Sequence, residues 1–172
     1  MSDIMSGGTW CSRLTELLLA GVDERCVVVI GLGHPLKGDD YVGSLIAKDL
    51  RKRIKNSPDL VIVDAEDSPE NVINVLNDTR PRLVVLIDSV QAGLEPGSIT
   101  LMDLTDTTYP FFGTHSLPLR VLLEMAPEIP KTVLLGVQPV SYEIGEPLSK
   151  EVSQAEAEIV MELGSLLQKM RG

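Results

Sequence analysis

The chain has 172 residues, 44% of them hydrophobic and only 3% aromatic, with a formal net charge of −10. That length suits one domain with a core of Val, Leu and Ile, and the hydrophobic share excludes a disordered chain. The acidic balance argues against nucleic-acid backbone as the main partner, because such binding draws on clustered Lys and Arg.

No apolar run reaches the roughly 18 to 20 residues that span a bilayer. The N-terminal stretch MSDIMSGGTWCSRLTELLLAG has an early acid and no basic cluster before its short apolar segment. No secretory signal is read there, and a cytoplasmic setting is expected. The two cysteines, Cys11 and Cys26, do not make a cystine scaffold, and Cys26 is read as a core thiol at the start of a strand.

In chain order, residues 9–20 predict a short helix with Trp10, Leu14, Leu17 and Leu18 on one side. CVVVIG reads as a central buried strand. Residues 41–54 predict a strong helix, apolar through Val42, Leu45, Ile46 and Leu50, with Lys48, Arg51, Lys52 and Lys55 toward its negative C-terminal end. LVIVD, 60–64, is read as a second buried strand. SPENVINVLNDT predicts a helix with Ser68 as N-cap and Pro69 at its first position. RPRLVVLID leads into a third strand that ends at Asp88. GSITLMDL, 97–104, alternates and is read as an edge strand. LPLRVLLEMA, 117–126, predicts a helix, KTVLLGVQP holds a buried strand at 132–137, and a long terminal helix is capped by Ser149 or Ser153. The alternation of strands and helices argues for an open, mainly parallel sheet covered on both faces.

The stretch GLGHPLKGDDY after CVVVI raises the question of chemistry. Its glycines are Gly31, Gly33 and Gly38, and Leu36 stands where a dinucleotide fingerprint needs its third glycine. Asp64 is the residue that would imitate the ribose-binding acid. Lys37 precedes Gly38, and Asp39 and Asp40 follow, where a P-loop needs Gly-Lys-Ser/Thr. Two carboxylates repel a phosphate at that place. One aspartate serves as a cap for the following helix, and the second then needs another reason. A carboxylate at a helix N-terminus is held ionised, which is how a metal ligand is presented. Asp88 ends its strand where open α/β sheets place their crevice. His34 and His115 are the only histidines. Carboxylates on two strand-end loops plus one imidazole make a set suited to nickel or zinc, and the lack of a cysteine cluster disfavours structural zinc.

Five stretches in order, GLGHPLKGDDYVG, VDAEDSPEN, LVVLIDSVQAGLEPGSI, THSLPL and LLGVQP, carry a resemblance to the hydrogenase maturation endopeptidases, most closely the hydrogenase 3 type. It spans about residues 26–165. The resemblance implies a single α/β/α domain, 1–172, around a twisted, mainly parallel sheet. It implies an endopeptidase that removes the C-terminal extension of a nickel-loaded [NiFe] hydrogenase large-subunit precursor. Asp40, Asp88 and His115 match the family's cleft residues, which are thought to recognise the nickel. That nickel arrives with the precursor, and no organic cofactor is implied. Gln138 lies in a stretch that matches a segment beside the cleft. Two positions depart from the family: His34 stands where members commonly have Asn, and Tyr41 where they commonly have Gly. His34 is read as a loop brace, since Pro35 stiffens the backbone after it. Asp39 is read as the cap or brace of the helix from about Tyr41, and Asp40 as the metal-facing acid.

No GxSxG elbow and no HExxH are present, so attack by water is the expected route. Two further readings stay open: a nickel- or precursor-binding chaperone without peptidase activity, and a small nucleotide-binding α/β enzyme.

Overall fold

The computed structural model describes residues 5–6, 9–20, 24–68, 70–105, 124, 128 and 130–172. Its elements run β1 (Met5–Ser6), α1 (Thr9–Leu19), β2 (Val27–Leu32), a 3-10 turn (Gly38–Tyr41), α2 (Val42–Arg53), β3 (Leu60–Glu66), α3 (Glu70–Thr79), β4 (Leu83–Ser89), β5 (Ile99–Asp103), β6 (Lys131–Val137) and α4 (Lys150–Arg171). One sheet has the strand order β1-β5-β6-β4-β2-β3. The pairs β2–β3, β2–β4 and β4–β6 are parallel, whereas β5 runs antiparallel to β6 and β1 antiparallel to β5.

The inner strands are apolar on both alternations because both faces are covered. Val27, Val29, Val85 and Ile87 face a core shared with α1, α2 and α4. Val28, Ile30, Val84 and Leu86 face a second core with α3. The result is a three-layer α/β/α architecture with a mainly parallel sheet. Among the described residues, no helix is long and apolar enough to cross a membrane.

Two strand assignments change. LVIVD is an edge strand: among the described residues β3 pairs with β2 alone, and Val61, Val63 and Asp64 are only partly buried. GSITLMDL is interior, because the two-residue β1 adds outside β5 and leaves four of its five residues buried. Two residues carry too little periodicity to announce a strand. The predicted helix at 117–126 lies outside the described residues, apart from Glu124.

Helix α4 buries Val152, Ala155, Ile159, Val160, Leu163 and Leu167, which recur at helical spacing. Of the two candidate caps it uses Ser149, whose side chain accepts from Val152 N. Helix α2 ends with Arg51, Lys52 and Arg53 against its negative pole. Its first turn lies hard on the sheet. A Cβ at Gly43 would stand 2.1 Å from Ile87 O and 2.4 Å from Leu32 O, so only glycine lets α2 start over the ends of β2 and β4.

This contact sits where the chain reverses its winding. From β2 the chain moves outward to β3, then returns to place β4 on the other side of β2. The gap between β2 and β4 is the topological switch point, where such sheets open a crevice at their strand carboxyl ends.

Candidate active site

The loop after β2 returns to the sheet through the 3-10 turn, which carries both aspartates. Asp39 and Asp40 are buried, and their side chains serve different ends. Asp40 Oδ2 accepts from His34 N at 2.9 Å, which ties the two ends of its own loop together. Asp39 reaches across the molecule. Its Oδ2 accepts from Val140 N (2.7 Å), Ser141 N (3.2 Å) and Ser149 Oγ (3.0 Å), and its Oδ1 from Ser149 N (2.7 Å). The expectation that Asp39 caps the helix starting near Tyr41 is thus half corrected. Neither the 3-10 turn nor α2 has a side-chain cap bond. Asp39 is a brace, and it holds Ser149, the cap of α4.

Asp88 lies one strand over, at the end of β4, opposite Gly136 of β6. It is buried, and its Oδ1 accepts from Ser89 N at 2.8 Å. The fully buried Ser89 donates through Oγ to Tyr142 OH at 3.0 Å. Tyr142 lies in the field of all three acids. Burial first, with Asp88, Asp40 and Asp39 adding to it and the Ser89 bond opposing, pushes its phenol up to about 12. An uncharged hydroxyl therefore stands beside the carboxylates at neutral pH. Sequence reasoning missed Tyr142. Its signal was rarity, as one of three tyrosines in a chain that is 3% aromatic, four residues after Gln138.

Gln138 gains a definite task. Its Oε1 accepts from Ala92 N (2.8 Å) and Leu94 N (3.2 Å), and its Nε2 donates to Gln91 Oε1 (3.0 Å). This amide holds the loop that follows Asp88. His34 Nδ1 accepts from Leu36 N at 3.1 Å, and Nε2 faces Asp67 at 3.8 Å. The neutral ring therefore carries its proton on Nε2, and His34 braces its own loop. Tyr41 sits at φ −68°, an ordinary helical value that needs no glycine. His115 lies outside the described residues. Among the described residues, no three His, Cys, Asp or Glu side chains form a group able to hold a metal ion.

Two rival chemistries lose ground. Asp64, the would-be ribose acid, accepts from Ser44 Oγ (2.7 Å) and Glu66 N (3.1 Å) and pairs with Lys48 at 3.3 Å. Those bonds occupy it in the sheet edge. Thiol nucleophiles are also disfavoured: burial raises both Cys11 and Cys26, and their partners are Glu162 and Thr79 O, away from Asp40 and Asp88.

Comparison with known proteins gives one consistent answer. Residues 44–165 match the family model described as hydrogenase maturation protease. The hydrogenase 3 maturation protease of Escherichia coli K12 is 30% identical over 130 residues, covering 74% of this chain and 82% of that protein. The crystal structure of a [NiFe] hydrogenase maturation protease from Thermococcus kodakarensis KOD1 superposes with a TM-score of 0.78 at 26% identity, covering 91% of this chain and 99% of that one. A crystal structure of a hydrogenase 3 maturation protease superposes at 0.66, also at 26% identity, covering 80% and 88%.

Proposed function

The chain belongs to the hydrogenase maturation protease family, and we propose that it is the endopeptidase that removes the C-terminal extension of a nickel-loaded [NiFe] hydrogenase large-subunit precursor. One observation carries the site: two buried carboxylates, Asp40 and Asp88, stand at the carboxyl ends of strands paired with each other, at the switch point of the sheet. The whole chain is read as one such domain, since both cores lie against a single sheet. Two free cysteines are in keeping with a reducing, cytoplasmic setting.

In this reading Asp40, Asp88 and His115 engage the nickel-bearing part of the precursor. Carboxylate and imidazole donors suit a borderline divalent ion, so the residue types fit that substrate. Water attacks the scissile carbonyl carbon. Its proton passes to one of these side chains, the C–N bond breaks, and the leaving amine takes a proton in return. Tyr142 supplies a neutral hydroxyl that can donate to a developing oxyanion near these acids.

Incubating the purified protein with nickel-loaded precursor tests this reading. A shorter large subunit with a new C-terminus is the expected product. Stable binding with no change of mass would transfer the assignment to a precursor-binding chaperone, which the same side chains would serve.

A further inference from the structure

Two segments far apart in sequence form one rigid body beside Asp40. Asp39 N donates to Ser141 O at 3.0 Å, and Gly145 N donates to Leu36 O at 2.8 Å. The Asp39 carboxylate adds its bonds to Val140, Ser141 and Ser149. Gly38, at φ +51°, lies so close that a Cβ would stand 2.9 Å from Ser141 O. The loop at 33–41 and the segment at 138–149 are therefore stitched through backbone, which leaves them little freedom to rearrange.

Three large apolar side chains stand out from this body: Leu36 at 61% exposure, Val140 at 52% and Ile144 at 79%. The other large hydrophobics this exposed among the described residues, Leu19 and Met161, lie on α1 and α4. Scattered exposed hydrophobics are ordinary, but three on one stitched platform are not scattered. Folding gains nothing from leaving them in water.

We propose that Leu36, Val140 and Ile144 form the docking face for the large-subunit precursor, receiving an apolar segment of it next to the scissile extension. The proposal rests on the endopeptidase reading above. Continuity with the site favours this occupant: Asp39 ties the platform down, Asp40 follows it in the same turn, and Tyr142, between Val140 and Ile144, bonds to Ser89 beside Asp88. Charge gives the occupant a second property. The exposed Glu143 and Glu146 bracket Ile144, against the single exposed Lys37 on the facing loop, so the segment carries basic side chains beside its apolar ones. A second copy of this chain fits poorly, because symmetric pairing would press these acidic rims together.

The test compares the full-length Leu36→Ser/Ile144→Ser variant with a control, Leu19→Ser/Met161→Ser, using purified nickel-loaded precursor as the probe. The platform variant should bind the precursor roughly tenfold more weakly and raise KM by a similar factor with kcat nearly kept. Its unfolding midpoint should stay at the wild-type value, since both side chains are mostly in solvent. The control should match wild type. A platform variant with wild-type affinity, or a control that loses as much, overturns the inference. So does sedimentation showing that wild type is a dimer that the platform variant dissociates. If wild type binds precursor without shortening it, the peptidase reading falls and the affinities still decide the docking face. If wild type does not bind precursor, both fall.

Discussion

Two acidic centres lie near strand carboxyl ends, and they are satisfied in opposite ways. At the sheet edge, Asp64 and Glu66 of β3 share Lys48 at 3.3 Å each, and the same ammonium lies 3.3 Å from Tyr41 OH and 5.0 Å from the Tyr41 ring centroid. At the switch point, Asp39, Asp40 and Asp88 accept from backbone N–H groups of 34, 89, 140, 141 and 149. A lysine neutralises its carboxylates and commits them to stability. Backbone amides fix where a carboxylate stands and leave its position set by the loops that carry those N–H groups. The edge pattern is structural, and the switch-point pattern suits the site proposed above.

The sharpest way to break this contrast is to remove charge at the switch point while keeping shape. Asp40→Asn and Asp88→Asn should each lower precursor processing by about a hundredfold or more, with circular dichroism and unfolding close to wild type. The asparagine carbonyl can still accept from His34 N or Ser89 N, so the fold keeps its bond and the site loses its charge. Processing near wild type in both variants would move the chemistry elsewhere.

Asp39→Ala should act on stability first. It strips the acceptor from three buried or half-buried backbone N–H groups and from the cap of α4, a loss of about 3 kcal/mol or more in urea unfolding. Processing should survive in part at low temperature. A variant as stable as wild type would show that the two loops do not depend on this brace.

Tyr142→Phe keeps the ring and removes the hydroxyl. Processing should fall by about tenfold, mainly in kcat, if the hydroxyl faces the reacting carbonyl. The ultraviolet titration difference between wild type and variant should report a phenol ionising near 12. The sign for stability follows. The folded value lies above the ordinary 10.0, so this residue's contribution is complete below pH 10 and is lost as pH rises toward 12.

The smallest effect belongs to the edge. Burial pulls the Lys48 ammonium down, but Tyr41, Asp64 and Glu66 outweigh it and hold it above its usual value of 10.5. Lys48 is partly exposed, so Lys48→Met should cost only about 0.5 to 1 kcal/mol, less in high salt, with processing unchanged. Because the folded value is raised, the difference from wild type should be flat below 10.5 and shrink above it.

Much of this was legible in the residues. VVVI, LVVLID and TVLLGV announce inner strands because an apolar run without alternation needs cover on both faces. The same pattern puts Asp88 at a strand end, and two adjacent acids after a glycine loop argue against phosphate. What was not legible follows a common logic. LVIVD is as apolar as an inner strand, yet among the described residues it has no outer neighbour. Asp39 looked like a local cap because its strongest partners lie about a hundred residues ahead. Tyr142 carried no local motif and Gln138 a family match without a role, and each works on residues at or after the end of β4.

The sequence by itself determined most of the described helices and strands, which acids follow which strand, and that the chain builds a covered, mainly parallel sheet. Periodicity and capping act within a few residues of the chain, so they can be read along it. Only the tertiary structure decided that β3 is an edge among the described strands, that Asp39 stitches two loops while Asp40 closes its own, and that the exposed Leu36, Val140 and Ile144 stand on those two stitched segments. Those outcomes depend on strand order and on hydrogen bonds between distant segments, which form only once the sheet brings their ends together.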